Sequence, residues 1–189
     1  MKKHIIILGT NHLLQAGEKN PQFIIDPEYR EYISRILAER NVDFLFEEAT
    51  SSGPTIAEHI ATDRLGNGHY IDVDPIEMRK ELGIGIATQY EFLPHVPQVG
   101  FREIAFRLIV AEQQKREQAW VETIHRTEFD CGLLICGLAH LLSMAFRLED
   151  SGHTVETRIY SPEQRACRRT HRVTIPGLIL REGDASTPL

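Results

Sequence analysis

Short apolar runs alternate with amphipathic segments along most of the chain. Five runs have the length and the β-branched or aromatic content of strands; they span residues 4–9, 43–48, 69–74, 132–137 and 154–160. The run 133–136 is apolar at every position, which is typical of a central strand covered on both faces. These runs predict a sheet whose middle is buried.

Helical periodicity occupies the intervals between those runs. Segment 27–41 places Tyr29, Ile33 and Leu37 on one face, and Pro27 suits its first turn. Further helical patterns cover residues 52–68, 74–83, 101–127 and 138–152, the third of them about seven turns long. The alternation of strands and helices predicts an α/β fold, a three-layer sandwich around a central, mostly parallel sheet of about five strands.

Length and charge limit the domain count and the partners. A chain of 189 residues with 42% hydrophobic residues fits one domain, here residues 1–180, and residues 181–189 have the composition of a flexible tail. The formal net charge of -6 argues against a dedicated nucleic-acid binder. No apolar run approaches the length of a membrane span, and the opening residues 1–9 lack the features of a signal peptide.

The cysteines bear on the cellular compartment. The chain has three of them, an odd number without a C-x-x-C pair, and Cys131 and Cys136 flank or lie in an apolar strand. This pattern favours buried, reduced thiols and a cytoplasmic protein.

Polar side chains follow four of the predicted strands, at the point where each strand ends. These residues are His12, Glu47, Glu48, Asp72, Asp74 and His140. Because open parallel sheets bind ligands at the carboxyl ends of their strands, the side chains are expected to share one edge. The sequence therefore predicts a functional site at this edge.

Two of these strands are followed by the same sequence motif, G-x-x-H, at Gly9–His12 and Gly137–His140. A glycine at a strand end lets the chain turn sharply and lets a ligand approach the backbone. His140 falls near the first turn of a helix, where exposed amides favour a neutral imidazole and attract anions. A neutral imidazole can act as a base or bind a metal.

Each residue also has a simpler interpretation. A lone histidine at a strand end is often only solvated, and Asp74 before Pro75 suits a turn or a helix cap. Glu47 and Glu48 are adjacent, so the strand period sends them to opposite faces and one of them is expected to make only a surface or helix contact. The doubled motif is the feature that favours a shared site.

Four motifs occur in order along the chain: "GTNH", "FLFEE", "REQAW" and "CGLAHLLSMAFRLEDSGHTVE". In this order they resemble the superfamily of TraB-like proteins, Tiki proteases, ChaN-like haem-binding lipoproteins and erythromycin esterases. The resemblance implies an α/β fold with the site at the strand ends. Several members are metal-dependent or His/Glu-dependent hydrolases, and others bind ligands without known turnover.

The resemblance also implies roles for individual residues. His12 and His140 would be the paired histidines, Glu47 the acid of the second strand, and Arg116 a helix arginine that points into the site. Without the resemblance, Arg116 would be part of a solvated helix face, paired with Glu112. Asp72 or Asp74 would line the cleft. Thr10 departs from relatives that carry glutamate in a G-E-x-H motif.

The leading hypothesis is a hydrolase that acts on a small or peptide-like substrate. His12, Glu47 and His140 would hold a divalent metal (Zn, Mn or Fe), or one histidine would act as general base on a water. Arg116 would hold an anionic group or stabilise developing negative charge. Further substrate contacts are expected from Glu48, Asp72, Asp74, Thr10 and Asn11.

Two other functions use the same residues. The first is a non-catalytic protein that binds or senses a small anion or a nucleotide, and the second is an interaction protein whose site is vestigial. In each case no nucleic acid or membrane partner is expected, and the surface leaves room for a homodimer. The loop 83–100 suits a packed connector or a lid, and the arginine-rich segment 163–172 suits a solvated face or an anion-binding or oligomer surface.

Overall fold

The computed structural model describes residues 2–15, 26–49, 53–84 and 99–162, and two short strands at Thr174–Ile175 and Leu178–Ile179. The side chains of residues 99–106 and of the two short strands are not described. The predictions for most of the loop 83–100, for the segment 163–172 and for the tail 181–189 lie outside these ranges.

Five parallel strands form the main sheet. They are β1 (His4–Thr10), β2 (Phe44–Glu47), β3 (Tyr70–Asp72), β4 (Cys131–Gly137) and β5 (Thr154–Ile159). Their order is β3-β2-β4-β1-β5, and each pairing is parallel. The predicted α/β class and central sheet are confirmed. The apolar run 133–136 lies in β4, which has a strand on each side.

Helices cover both faces of the sheet. They are α1 (His12–Gln15), α2 (Pro27–Arg40), α3 (Ile56–Arg64), α4 (Ile76–Glu81), α5 (Val99–Arg126) and α6 (Leu141–Asp150). A 3-10 turn, Leu138–His140, leads into α6. The periodicity predicted all of these except α1, whose four residues are too few to show a period. The short strands at residues 174–179 pair antiparallel as β6 and β7 and were also not predicted.

Local signals explain where several helices begin and end. The Asp26 side chain accepts hydrogen bonds from the first amides of α2, Pro27 occupies the first helical position, and Asn41 ends the helix in a left-handed conformation. The hydroxyl of Thr55 caps α3 in the same way. Among the described helices, none is long and apolar enough to cross a membrane.

Strand alternation divides the core into two layers. Leu8 and Leu45 pack with α2 and α3 on one face of the sheet. Ile7 and Phe46 pack with Trp120 of α5 and the buried side of α6 on the other. The same alternation sends Glu47 to the first face and Glu48 to the second. Cys136 is a buried free thiol within the second layer.

Candidate functional site

Both predicted histidines approach one buried carboxylate, that of Glu48. His140 Nε2 lies 3.5 Å from Glu48 Oε1, and His12 Nε2 lies 3.7 Å from Glu48 Oε2. The histidines arrive from the adjacent strands β1 and β4, which run in register. The doubled G-x-x-H motif therefore corresponds to a physical convergence at the carboxyl edge of the sheet.

Donors from two other elements hold Glu48 in place. The amide N–H of Gly137 donates to Oε2 at 2.9 Å, and Arg116 Nη2 donates to Oε1 at 2.5 Å. The Glu48 side chain is 2% exposed, so these charged and amide donors compensate for the loss of its hydration. These contacts fix the positions of the two Glu48 carboxylate oxygens next to the histidines.

Gly137 is required by the position of the His12 ring. A Cβ built on Gly137 would lie 2.5 Å from His12 Nε2, a separation that real Cβ atoms do not show. The backbone of Gly137 itself is extended, with φ -60° and ψ 145°. The glycine of the second motif is therefore needed for space and not for an unusual backbone conformation.

The His140 ring is buried and oriented by α5. Its Nδ1 lies 2.8 Å from Glu117 Oε1, and the ring packs edge-on against Trp120 with the ring centroids 4.9 Å apart. Ser143 Oγ and Arg147 Nε also donate to the carboxylate of Glu117. Burial alone would raise the pKa of Glu117, but these hydrogen bonds from His140, Ser143 and Arg147 outweigh it and lower that pKa.

His12 is the member of the pair that reaches solvent. Its side chain is 40% exposed, whereas that of His140 is 5% exposed. Its Nδ1 lies 2.8 Å from Oε1 of Gln15, one turn further along α1. A substrate or a water can therefore contact the His12 imidazole without a rearrangement of the core.

Arg116 contacts Glu48, the carboxylate that both histidines approach, and its donors are held by carboxylates of the chain. Nε donates to Asp74 Oδ1 at 3.1 Å, and Nη2 contacts both Glu48 and Asp74 Oδ2. Burial would lower the pKa of Arg116, yet the hydrogen bonds and charge of Asp74 and Glu48 raise it. Arg79 and Trp120 also contact Asp74.

Glu47 lies on the opposite face of the sheet from Glu48. Its Oε2 accepts hydrogen bonds from the hydroxyls of Thr55 and Tyr70, and its Oε1 accepts one from Gln15 Nε2. Burial raises the pKa of Glu47 to about 7, although the three hydrogen bonds oppose that rise. The acid placed between the two histidines is therefore Glu48, and the assignment of Glu47 to that position is corrected by the strand alternation.

The remaining predicted contacts are local. Asn11 Oδ1 accepts the amide of Leu13 and so begins α1. Asp72 Oδ1 accepts the amides of Ala49 and Asp74, which braces the loops after β2 and β3. Thr10 is buried on the face opposite the histidines, since it continues the alternation of Ile6 and Leu8.

The predicted metal ligands do not converge. Glu47 faces away from both histidines, and within the described ranges no group of three or more His, Cys, Asp and Glu side chains has a geometry that could hold a metal ion. Glu48, which does lie between the histidines, already accepts from Gly137 and from the cation Arg116. Among the described residues, the carboxylate between the histidines is therefore bound by donors of the chain itself.

Sequence reasoning missed Glu117, Gln15 and Ser143. Glu117 follows Arg116 directly and is three residues before the buried Trp120, so the helical period places it on the packed face of α5. A charged residue on an apolar helix face was the available signal for Glu117. Gln15 and Ser143 had no comparable signal.

No family model matches the chain, and no curated protein or solved structure matches it either.

Proposed function

We propose that the protein is a histidine-dependent hydrolase that acts on a small or peptide-like substrate at the carboxyl edge of its sheet. The observation that supports this function most strongly is the convergence of His12 and His140 on the buried carboxylate of Glu48. The chemistry proposed needs the side chains of the chain and a water as the second substrate.

His12 would act as the general base. Its Nδ1 is engaged by Gln15, which leaves Nε2 to accept a proton from a water, and the resulting hydroxide attacks the substrate's carbonyl carbon or phosphorus. The imidazolium that forms lies 3.7 Å from the Glu48 carboxylate, whose charge favours it. The leaving group then takes that proton, which restores His12.

His140 and Glu117 would act as positioning residues. Glu117 orients the His140 ring through Nδ1, and His140 Nε2 and Arg116 flank Glu48 Oε1. Together they hold the carboxylate that faces His12. Arg116 would serve the reaction by fixing Glu48 and Asp74, because its Nε and Nη2 are bound to those carboxylates in place of a substrate anion.

The test is a panel of ester, amide and phosphoester substrates assayed with tag-free protein, with and without added Zn²⁺, Mn²⁺ or Fe²⁺. We expect turnover of at least one class without added metal, and a loss of about 10²- to 10⁴-fold in His12→Asn. His59→Asn, an exposed histidine on α3, is the matched control and should retain full turnover.

Two results would contradict the proposal. Turnover that requires added metal and survives His12→Asn would favour a metal centre elsewhere. A ligand that binds tightly, depends on His12 and is recovered chemically intact would favour the small-anion or nucleotide sensor.

A further inference from the structure

Gln15 forms a bridge through the sheet edge between His12 and Glu47. Its Oε1 lies 2.8 Å from His12 Nδ1, and its Nε2 lies 3.2 Å from Glu47 Oε1 and 3.3 Å from the carbonyl oxygen of Glu48. The Gln15 side chain is fully buried. The exposed histidine on one face of the sheet is thus connected to a buried carboxylate on the other.

The acceptors around Gln15 determine which way its amide points. The backbone carbonyl of Glu48 can only accept, and so can the Glu47 carboxylate above its pKa of about 7, so the NH₂ group must face both of them. The amide oxygen must then face His12, and an amide oxygen can only accept. His12 therefore carries its hydrogen on Nδ1, and Nε2 keeps its lone pair.

Glu47 is held in the orientation that this arrangement needs. The hydroxyls of Thr55 and Tyr70 both donate to Oε2, which leaves Oε1 as the acceptor for Gln15. Thr55 precedes α3 and Tyr70 lies on β3, so two separate elements fix the carboxylate. Glu47 in turn restrains the one amide that contacts His12 Nδ1.

We propose that Gln15 and Glu47 are positioning residues that hold neutral His12 in the Nδ1–H tautomer, with Nε2 directed at Glu48. The consequence for catalysis rests on the proposed function, since only a base at Nε2 would accept the proton on the nitrogen that faces Glu48. The tautomer itself does not depend on any turnover. It assigns to Glu47 a role in the site that differs from metal binding.

The direct test is ¹⁵N NMR of histidine-labelled protein at pH 8, where an ordinary imidazole is neutral. The signals of His12 are identified by their absence in His12→Asn. We expect the wild type to show a protonated Nδ1 and an unprotonated Nε2. A wild type with the hydrogen on Nε2 would overturn the proposal, and this result requires no other variant to fold.

Two variants then test the bridge. Gln15→Met keeps the size of the side chain and removes both polar groups, and we expect His12 to lose its preference for Nδ1–H. In Glu47→Gln the new amide oxygen can still accept from Thr55 and Tyr70, which turns its NH₂ toward Gln15. The backbone carbonyl of Glu48 still requires the NH₂ group of Gln15, so Gln15 cannot satisfy both neighbours, and we expect the preference of His12 for Nδ1–H to weaken.

Gln118→Met is the matched control, because it makes the same substitution at an exposed glutamine of α5 whose amide contacts Glu122. We expect it to keep the wild-type tautomer. A Gln15→Met variant with an unchanged tautomer would contradict the bridge, as would a Gln118→Met variant that changes it.

Turnover separates this inference from the proposed function. Once a substrate is found, Gln15→Met should lower kcat by about tenfold or more with a smaller effect on KM. An Nδ1–H tautomer in a protein that hydrolyses nothing would overturn the hydrolase and leave the bridge standing. Hydrolysis by a protein with the opposite tautomer would overturn the bridge and leave the hydrolase standing.

Discussion

Gly137 determines how closely the His12 ring can approach Glu48. The atom that a new Cβ would meet belongs to a half-exposed side chain and not to the backbone, so the ring can move aside at small energetic cost. A side chain at position 137 would therefore displace the base while leaving the fold intact.

We predict that Gly137→Ala changes the free energy of unfolding by less than about 1 kcal/mol and lowers turnover by about 10²-fold, because the His12 ring is misplaced. Chemical denaturation and the hydrolysis assay measure the two quantities. Gly9→Ala is the control from the other G-x-x-H motif, since its Cβ would meet side-chain atoms of Leu138 and Leu141. Equal losses of turnover in the two variants would contradict this role of Gly137.

The burial of Glu47 leads to a second prediction at the residue scale, which concerns how the free energy of unfolding depends on pH. Its folded pKa of about 7 exceeds the ordinary value of 4.5, so between these pH values the folded chain binds more protons than the unfolded chain. Stability therefore falls as pH rises from 4.5 to 7, by up to about 3 kcal/mol from this group. Glu47→Gln should remove that slope.

Urea denaturation of wild type and Glu47→Gln at several pH values tests this prediction. The difference in unfolding free energy, variant minus wild type, should increase from pH 4.5 to pH 7 and then level off. A difference that is constant with pH would show that Glu47 has the same pKa in the folded and unfolded chains, and it would contradict the raised pKa.

The repeated G-x-x-H motif drew attention to both histidines, but it did not show which glutamate they approach. Glu47 and Glu48 sit at a strand end, and the face that each one takes depends on the register of β2 with β3 and β4. A single sequence does not contain that register. The contact of Gln15 with Glu47 spans 32 residues and has no local signal either.

At the scale of elements, Lys3, which precedes β1, forms hydrogen bonds with the C-terminal end of α5. Lys3 Nζ donates to the carbonyl oxygens of Ile124, His125 and Thr127 at 3.0, 2.7 and 2.5 Å. A cation at a helix C-terminus satisfies carbonyls that lack helical partners and interacts favourably with the helix dipole. This contact holds the C-terminal end of α5, the helix on which Arg116 and Glu117 lie.

We predict that Lys3→Met lowers the free energy of unfolding by about 1–3 kcal/mol, because the three carbonyls lose their charged donor. Lys2→Met is the matched control; Lys2 is exposed, and its loss should matter by less than about 0.5 kcal/mol. Urea denaturation of both variants decides the question. Indistinguishable midpoints for the two variants would contradict the capping role.

The elements were the part of the structure most accessible from sequence. Strands β1 and β4 are runs of apolar residues with glycine at or near their ends, and α2 has its cap and proline in the sequence. Helix α1 was missed because one turn has no periodicity, and the turn before α6 was taken as part of that helix. These two elements, which the sequence did not predict correctly, contain His12 and His140.

At the scale of the whole molecule, one arginine links three parts of the fold. Arg116 on α5 contacts Glu48 after β2 and Asp74 after β3, and its guanidinium lies 5.2 Å from the centre of the Trp120 ring. The side chains of Glu48 and Asp74 are 2% and 0% exposed. Arg116 is therefore a cation shared by two buried carboxylates, and Arg79 pairs with Asp74 as well.

We predict that Arg116→Met destabilises the protein by about 3–5 kcal/mol, because it leaves two buried carboxylates without their shared cation. Arg126→Met, on the same helix, removes an exposed i,i+4 pair with Glu122 and should change stability by less than about 0.5 kcal/mol. Thermal and urea unfolding measure both. An Arg116→Met variant as stable as Arg126→Met would show that Arg116 is held for a ligand instead.

The parallel sheet was predictable as a whole because alternating strands and helices leave few other arrangements. The order β3-β2-β4-β1-β5 places the two G-x-x-H strands side by side, and that adjacency is what brings His12 and His140 onto one carboxylate. Strand order depends on long-range packing. The sequence therefore predicted that the two histidines follow strands ending at the same edge of the sheet, but not that these strands are adjacent.

The most direct test of the hydrolytic centre is isotope incorporation in H₂¹⁸O. A substrate identified in the ester, amide and phosphoester panel is incubated with wild type and with His12→Asn, and the mass of the carboxylate or phosphate product is measured by mass spectrometry. The account predicts one ¹⁸O atom in each carboxylate or phosphate product released by the wild type, none in the leaving group, and a rate at least about 10²-fold lower in the variant. Equal rates of ¹⁸O incorporation by the two proteins would contradict it.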